Sequence, residues 1–370
     1  MDLTLSAFEQ RLRARSRRDR QPLTCTFEIT PTCNLRCHFC YVALDPYQGP
    51  YLTTAQVYAV LDKLEQAGVL WLTLTGGEIF SRRDFADVYR YARARGFLIT
   101  LFTNATMVTD RHAALLREEP PFSVEVSIYG ADAEHYEATT GIKGAFARFE
   151  RGMDLLQQAG VSLLVKHPTS SLSLDHIPAI RAWCNARGLP YKIDTVIENR
   201  HNGGQEPSLY RIQPRQVSEM RDYLHEVKLG TKRQMPLPEC SMGGVEEGGV
   251  EHLYKCGAGR IAFFVDALGN ASHCVLDRDP SFPLLEMEWE EVWARMGDWV
   301  TQPLPKEAPC SGCGLRSHCT NCPARSRLAT GSPYLKDTYH CDITHVDHGL
   351  EPAVHPDYRN HRRVLAACAT

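Results

Sequence analysis

The chain lacks the features that would place it with membrane proteins or nucleic-acid-binding proteins. Its formal net charge is only −3 over 370 residues, which gives no basic footprint for nucleic acid. No apolar run approaches the ~18 residues of a membrane span, and no hydrophobic secretory segment opens the sequence. We therefore expect neither nucleic acid nor membrane as a partner, and a cytoplasmic location in which the fourteen cysteines do not form disulfides.

The first part of the chain alternates short β-prone runs with amphipathic helical stretches. Six runs are typical of strands, at 24–30, 70–75, 97–103, 122–129, 161–166 and 191–197. Helical stretches at 53–68, 84–96 and 145–160 each end in glycine, a common C-terminal cap. This alternation predicts an α/β fold, a parallel sheet forming a partial (β/α)6 TIM-like barrel whose active site lies at the C-terminal ends of the strands.

Three closely spaced cysteines, Cys33, Cys37 and Cys40, follow the first predicted strand and so fall at that functional edge. A structural zinc site would need four protein ligands, and zinc knuckles use other spacings. Iron–sulfur clusters are held by closely spaced thiolates, and a cubane cluster held by only three leaves one iron with an open coordination position. The triplet therefore favours an iron–sulfur cluster that can bind a further ligand.

This Cys-x3-Cys-x2-Cys loop resembles the hallmark of the radical S-adenosylmethionine (SAM) superfamily. The resemblance implies that SAM occupies the fourth iron and is cleaved by an electron from the cluster. The products would be methionine and a 5′-deoxyadenosyl radical, which abstracts a hydrogen atom from the substrate. Phe39 matches the family's aromatic near the adenine, and Lys166, at the end of the fifth strand, could meet the SAM carboxylate or serve a structural role.

Polar and glycine residues at the other strand ends match further SAM contacts of that superfamily. Gly76, Gly77 and Glu78 follow the second strand and resemble the turn that binds the SAM amino group. Glycine lets a backbone approach a ligand closely, and a glutamate can accept from an ammonium. Asn104 and Ser127, at the ends of the third and fourth strands, match the ribose and carboxylate contacts.

The last third of the chain carries a second cysteine pattern. A predicted hairpin with Gly269 and Asn270 in its turn is followed by two Cys-x2-Cys pairs only five residues apart, far closer than the ~15–20 residues of a zinc ribbon. The pattern resembles the SPASM domain, the auxiliary-cluster extension of radical SAM peptide maturases, and implies a small α+β, cysteine-rich domain. Its seven cysteines are Cys256, Cys274, Cys310, Cys313, Cys319, Cys322 and Cys341.

The SPASM resemblance implies two auxiliary clusters, so that the chain would hold three [4Fe–4S] clusters together with SAM. The outer cluster would be held by Cys310, Cys313, Cys319 and Cys341. The inner cluster would be held by Cys256, Cys274 and Cys322. The last spacing is shorter than in the family pattern, and no second cysteine closely follows Cys256. Cys240 could complete the inner cluster or be a free thiol, and the inner cluster could instead keep an open iron.

A row of clusters can carry an electron from a substrate to the surface, which favours an oxidative reaction. The chain resembles maturases of ribosomally made peptides over about 22–345, including the enzyme that crosslinks the pyrroloquinoline quinone precursor. This implies a peptide or peptide-like substrate, with either a separate leader-peptide recognition protein or a substrate that needs none, and a reductase such as flavodoxin or ferredoxin. Asp277, shortly after Cys274, is a candidate catalytic acid or base.

Two alternatives stay open at this point. The same radical chemistry could act on a sulfatase side chain or on a tetrapyrrole side chain, because architecture does not fix the substrate. A non-enzymatic iron–sulfur electron-transfer protein is the other alternative, although the TGGE turn and the polar strand ends argue against it.

The predicted organisation has five parts, with a helix expected at 214–228 inside the third. The first part contains a basic run at 11–20, which is either a solvated helix face or a docking site for an acidic peptide. The parts are a basic extension at 1–21, the radical SAM core at 22–205, a linker with a bridging helix and loop at 206–250, the SPASM domain at 251–345 and a tail at 346–370.

Overall fold

A curved sheet organises the structure, a computed structural model that describes residues 5–42, 51–229, 252–311, 313, 315–316 and 319–352. In these residues the sheet has nine strands in the order β6-β5-β4-β3-β2-β1-β7-β8-β9. The strands are β1 Thr24–Thr30, β2 Trp71–Gly76, β3 Leu98–Thr103, β4 Ser123–Ser127, β5 Leu163–Pro168, β6 Tyr191–Asp194, β7 Ala262–Val265, β8 Asn270–Ser272 and β9 Ser281–Pro283. The run from β1 to β6 is parallel throughout, which confirms the predicted partial barrel.

One helix precedes β1, and the other described helices connect the parallel strands or follow β6. They are α1 Leu5–Arg18, α2 Thr54–Gln66, α3 Phe85–Ala94, α4 Asp110–Glu118, α5 Ala133–Thr140, α6 Ala145–Gln158, α7 Ile177–Ala186, α8 Pro214–Leu229, α9 Trp289–Val300, α10 Pro323–Thr330 and α11 Thr338–Asp347. Within the described ranges, none of them combines the length and the apolar character needed to cross a membrane. The helix expected at 214–228 is α8.

The two faces of the parallel strands differ because successive side chains point to opposite sides. In β3, Ile99 and Leu101 are buried in the core that the helices cover, whereas Thr100 and Phe102 are only half-buried on the other face. Strands β2, β4 and β5 show largely the same alternation. The half-buried face lines the inside of the curved sheet. A ligand bound there could contact residues at the strand ends.

Helix ends follow the local sequence signals. Thr53 caps α2 by accepting a hydrogen bond from the Gln56 amide, and the Gln56 side chain accepts one from the Thr53 amide in return. Gly68, Gly96 and Gly160 follow α2, α3 and α6 with φ of +85°, +79° and +72°. These left-handed conformations confirm the glycine caps predicted from the sequence.

The cysteine-rich hairpin continues the barrel sheet, which the sequence did not indicate. β7 and β8 form the predicted antiparallel hairpin, but β7 also pairs in parallel with β1, with Thr24 opposite Ala262 and Phe27 opposite Val265. Without β7, strand β1 would leave a row of backbone donors and acceptors unpaired at a sheet edge. The sheet therefore crosses the predicted boundary between the two domains.

The basic run near the N-terminus contacts the protein at several points. The Arg13 guanidinium lies 5.1 Å from the centre of the Trp71 ring, at the first residue of β2. Arg17 donates to the Lys255 carbonyl oxygen at 2.6 Å, and Arg20 donates to the Trp293 carbonyl oxygen at 2.7 Å. These side chains therefore tie the N-terminal ends of the strands to the cysteine-rich region, a role that neither sequence-based alternative included.

The shared sheet predicts that the barrel and the hairpin unfold together. Val265→Ala removes two buried methyl groups from β7 and should destabilise β1 as well as β7 by about 2 kcal/mol. Native-state hydrogen exchange of the β1 amides measures this directly. Val227→Ala, the same change at an exposed position of α8, should leave the exchange unchanged. Normal protection of β1 in the Val265→Ala chain would show that the two units are independent.

Candidate cofactor site at the strand ends

The cysteine loop is anchored by backbone hydrogen bonds to the turn after β2. The Gly77 amide donates to the Thr30 carbonyl oxygen at 2.8 Å, and the Glu78 amide donates to that of Thr32 at the same distance. A Cβ atom at Gly77 would lie 2.4 Å from the Thr32 carbonyl oxygen, and one at Gly76 only 2.1 Å from that of Thr30. Glycine is required in this turn because the chain leading to Cys33 occupies the space beside it.

Glu78 connects the ends of β2 and β3. Its side chain is buried, with Oε1 accepting from the Thr103 hydroxyl and Oε2 from the Asn104 amide, both at 2.7 Å. Burial raises the pKa of Glu78 to about 6, although these hydrogen bonds favour the charged form. Both carboxylate oxygens accept hydrogen bonds from the protein, so Glu78 holds the ends of β2 and β3 together. The sequence predicted only its contact with the SAM amino group.

Helix α5 holds the cysteine loop from the other side. The Arg36 and His38 amides, which flank Cys37, donate to the carbonyl oxygens of Thr140 and Thr139 at 2.9 and 3.3 Å. Asp132 caps the N-terminus of this helix by accepting from the His135 amide. The loop is thus fixed between a strand turn and a helix end.

The three thiols of the loop lie close together and receive several hydrogen bonds. Burial raises the pKa of each of them, to about 11 for Cys33, and electrostatic repulsion between Cys37 and its two neighbours raises that of Cys37 further. The Leu35 amide donates to Cys33 Sγ at 3.4 Å, and the Tyr129 hydroxyl hydrogen-bonds to Cys37. Amide and hydroxyl donors around sulfur suit thiolates that carry negative charge.

The remaining predicted SAM contacts lie at or near this loop. The Asn104 side-chain amide lies 3.8 Å from Cys33 Sγ, and Ser127 hydrogen-bonds to Tyr129. The Phe39 ring is buried, with its centre 6.2 Å from that of Tyr129. Lys166 is paired with Glu125 inside the barrel. Direct contact of these residues with SAM stays a prediction.

The C-terminal cysteines fall into two groups. Cys274 interacts electrostatically with Cys322 and Cys256. Cys310 interacts with Cys319 and Cys313, and Cys341 interacts with the same two. We call Cys256, Cys274 and Cys322 the inner group and Cys310, Cys313, Cys319 and Cys341 the outer group. These are the two sets of ligands that the SPASM resemblance implies. Cys240 lies outside the described residues.

The spacing of the cysteines does not suit a single zinc ion. In the part of the chain that the structure describes, only Asp132, His135 and His176 bring three ligating atoms within 4.8 Å of one another. Zn–S bonds of about 2.3 Å place tetrahedral thiolates only about 3.8 Å apart. The described cysteine groups are wider than this, as a cluster of several iron and sulfide ions requires.

The loop after Cys274 reaches back to the barrel. Arg278 lies 3.2 Å from Glu28 of β1, and its guanidinium lies 4.5 Å from the centre of the Phe264 ring. The Tyr41 phenol interacts electrostatically with Glu28, Cys40, Arg278 and Cys274. A polar contact therefore stands between the first cysteine loop and the inner cysteine group, and sequence spacing gave no signal for it.

The segment after β6 forms a second connection of this kind. The His201 amide donates to the Tyr41 carbonyl oxygen at 3.0 Å. Glu198 accepts from Arg325 of α10 at 2.8 Å, and Arg325 follows Cys322 by three residues. The segment therefore contacts both the first cysteine loop and the helix that begins beside an inner-group cysteine.

Asp277, the candidate catalytic acid or base, is enclosed by protein side chains, and its catalytic role stays a prediction. The side chain is fully buried, and it contacts Arg327 at 2.9 Å, Tyr254, and His273 at 3.5 Å. Burial alone would raise the pKa of Asp277, but the hydrogen bonds from His273 and Tyr254 and the charge of Arg327 lower it. An ionised carboxylate enclosed by protein partners positions the loop that begins at Cys274.

Comparison with known proteins places the first cysteine loop in a family. Residues 27–170 match the model described as the Radical SAM superfamily, a span that includes the cysteine loop and the ends of β1 to β5. The chain contains a radical SAM domain. Such a domain binds SAM and a [4Fe–4S] cluster, and the three hydrogen-bonded thiols between the TGGE turn and α5 fit a cluster with three protein ligands.

Two curated relatives match this chain over most of its length. An AdoMet-dependent heme synthase from Methanosarcina barkeri is 24% identical over 340 residues, covering 86% of this chain and 96% of the relative. A mycofactocin maturase from Mycolicibacterium smegmatis is 25% identical over 319 residues, covering 84% and 80%.

A solved structure shares the fold. Streptococcus suis SuiB, in a crystal structure bound to its precursor peptide SuiA, superposes with a TM-score of 0.67 at 14% identity, covering 90% of this chain and 80% of SuiB. The agreement over 90% of the chain includes the cysteine-rich region as well as the radical SAM domain.

The anchoring turn gives a direct test of the site. Gly77→Ala should displace the cysteine loop, because its Cβ would overlap the Thr32 carbonyl oxygen, and should cost about 1–3 kcal/mol of stability. Iron bound per chain after anaerobic reconstitution should fall together with SAM binding. Gly68→Ala is strained by its φ of +85°, but it has open space around its Cβ and precedes β2 at the end away from the cysteine loop, so it should retain both. Full iron and SAM binding in the Gly77→Ala chain would contradict the proposed anchor.

Arg327 contacts two carboxylates, the buried Asp277 and the exposed Asp279, and substitution of each one tests whether Asp277 positions the loop after Cys274. Asp277→Asn removes a buried charge partner and should cost about 3–5 kcal/mol in the free energy of unfolding. Asp279 contacts the same arginine at 2.7 Å but is 74% exposed, so Asp279→Asn should cost less than about 1 kcal/mol. Urea unfolding of both variants measures the difference. Equal stability of the two variants would reject the positioning role.

Proposed function

We propose that this chain is a radical SAM enzyme that oxidatively modifies a ribosomally made peptide. The observation that carries the proposal is the cysteine loop that follows β1, together with the pairing of β1 with β7, which brings the hairpin before Cys274 of the inner group onto the same sheet. When bound at the first loop, SAM and its cluster supply a 5′-deoxyadenosyl radical that can take a hydrogen atom from a substrate.

We assign Cys33, Cys37 and Cys40 to the SAM-binding cluster and the two C-terminal groups to auxiliary [4Fe–4S] clusters. A peptide oxidised by loss of a hydrogen atom must also lose an electron, and the inner group is joined to the barrel through Glu28 and Arg278. This contact supports a substrate position between the first loop and the inner group. Whether Cys240 completes the inner set depends on residues outside those described.

The protein side chains inside the barrel hold charge in pairs. Glu125 is paired with Lys166, and Glu28 with Arg278. Paired charges offer little net attraction to the several carboxylates of a tetrapyrrole, whereas a peptide segment needs hydrogen bonds and half-buried apolar surface. This lining favours the peptide over the tetrapyrrole.

The names of the relatives support both substrate classes, the peptide and the tetrapyrrole. The mycofactocin maturase and the peptide-bound SuiB favour a peptide, and the heme synthase, matched over 96% of its length, keeps the tetrapyrrole as the second candidate. We propose a separate leader-recognition protein and a reductase such as flavodoxin or ferredoxin as further partners. Cys313 is exposed, which supports electron exchange with the reductase at the outer group.

We further propose that residues 22–205 and 251–345 act as the radical SAM and auxiliary-cluster units, and that the chain works in the cytoplasm. Every described cysteine is a free thiol, as a reducing compartment favours. Among the predicted SAM contacts, Phe39, Asn104 and Ser127 stand beside the cysteine loop and are the ones that we assign to the cofactor pocket.

The test uses the anaerobically reconstituted full chain with SAM and dithionite. Wild type should release 5′-deoxyadenosine, Cys37→Ala should not, and Cys184→Ala, a buried cysteine in α7, should behave as wild type. Chromatography with mass detection measures the product. Release by Cys37→Ala at the wild-type rate, or none from iron-loaded wild type, would reject the radical SAM assignment.

Substrate class is tested by adding probes to the same reaction. A precursor peptide encoded beside the gene should accelerate 5′-deoxyadenosine release and change in mass. A tetrapyrrole with propionate side chains serves as the competing probe. If the tetrapyrrole is modified and the peptide is not, the peptide proposal fails while the radical SAM assignment stands.

A further inference from the structure

A buried hydroxyl on α5 has no partner among the described residues. Tyr136 is fully buried, and its Oη atom makes no hydrogen bond within them. Buried polar groups in native proteins nearly always have partners, because an unsatisfied one loses its hydrogen bonds to water without replacement. The exception therefore points to a partner that is not part of the polypeptide.

The ring of Tyr136 is held in one place by aromatic neighbours. Its centre lies 5.6 Å from that of Tyr129 in an edge-on arrangement, 5.0 Å from Phe149 and 5.7 Å from Phe146. Helix α5 is itself fastened to the cysteine loop through the Thr139 and Thr140 carbonyl oxygens. The hydroxyl thus cannot turn to solvent without disturbing the core.

The hydroxyl lies beside the cysteine loop. The electrostatic neighbours of the Tyr136 phenol are, in order of strength, Cys37, Glu78, Cys33 and Arg148, of which the arginine can only donate. Both Glu78 oxygens already accept hydrogen bonds from β3 and its following residue. No hydrogen bond joins the Tyr136 hydroxyl to Glu78, and Cys37 is the strongest of these electrostatic neighbours, so sulfur at the cysteine loop is the acceptor best placed for the hydroxyl.

We propose that the Tyr136 hydroxyl donates a hydrogen bond to a sulfur of the cluster held at Cys33, Cys37 and Cys40, and that Tyr136 is a positioning residue that sets the reduction potential of that cluster. The inference rests on the proposed ligand assignment. A donor stabilises the reduced cluster more than the oxidised one, because the reduced form carries the additional negative charge. Tyr136 therefore raises the potential.

The test is Tyr136→Phe in the full reconstituted chain, which keeps the ring and removes only the hydroxyl. The SAM-responsive cluster is identified by the change in its electron paramagnetic resonance signal when SAM is added. Its midpoint potential should become more negative than in wild type, with the other cluster signals unchanged. Tyr89→Phe is the matched control: this buried tyrosine of α3 donates to the Glu119 carbonyl oxygen at 2.6 Å, and its loss should leave the potential unchanged.

Thermal unfolding of the apo protein gives a second, independent measurement. Without the cluster, the buried hydroxyl has no acceptor, so apo Tyr136→Phe should melt at or above the wild-type Tm, whereas apo Tyr89→Phe should melt below it. Reconstitution should raise the Tm of Tyr136→Phe by less than it raises that of wild type.

Two results would overturn the proposal: an unchanged potential of the SAM-responsive cluster in Tyr136→Phe, or an apo Tm below wild type, which would mean that the hydroxyl has a partner within the protein. If instead the assignment of Cys33, Cys37 and Cys40 as cluster ligands is wrong, wild type should show no SAM-responsive electron paramagnetic resonance signal at all.

Discussion

The structure around the site depends on two backbone hydrogen bonds between the start of the cysteine loop and the turn after β2. They form only because Gly76 and Gly77 leave room for the carbonyl oxygens of Thr30 and Thr32. Parallel neighbouring strands bring these two ends to the same edge of the sheet. These hydrogen bonds hold the loop that carries Cys33, Cys37 and Cys40 at the C-terminal ends of the strands.

Three other elements are built onto this anchor. Glu78, which follows β2, accepts a hydrogen bond from the residue after β3. Helix α5 binds the loop on both sides of Cys37, and the segment after β6 contacts Tyr41. The C-terminal cysteines join the same assembly through β7, which pairs with β1, and through Arg278, which contacts Glu28. One sheet and the contact of Arg278 with Glu28 thus join the first cysteine loop to the inner cysteine group.

Local chemistry explains what the sequence predicted well. The alternation of β-prone and helical runs specified the parallel strands, and the glycines at 68, 96 and 160 marked the helix ends because only glycine adopts that conformation without strain. Cysteine spacing pointed to iron–sulfur ligation. These features depend on neighbours in the chain, so a single sequence carries them.

Contacts between distant segments could not be predicted in the same way. The sequence around Asp277 does not indicate that Arg327 and Tyr254 enclose its side chain. Its position shortly after Cys274 led to the prediction of a catalytic role, and the structure shows a buried ion pair there. The pairing of β7 with β1 and the unpartnered Tyr136 hydroxyl are equally long-range. Glu78 was recognised by its motif, but its partners in β3 required the fold.

We propose that the cysteines form three separate cluster sites, and iron analysis of a chain that lacks one cysteine group tests this most directly. Wild type reconstituted anaerobically should bind roughly twelve iron and twelve sulfide ions per chain, and a chain with Cys33, Cys37 and Cys40 all changed to alanine should bind roughly eight of each. The remaining clusters should no longer respond to SAM. A wild-type content near four, or a triple variant that keeps the full content, would contradict the account.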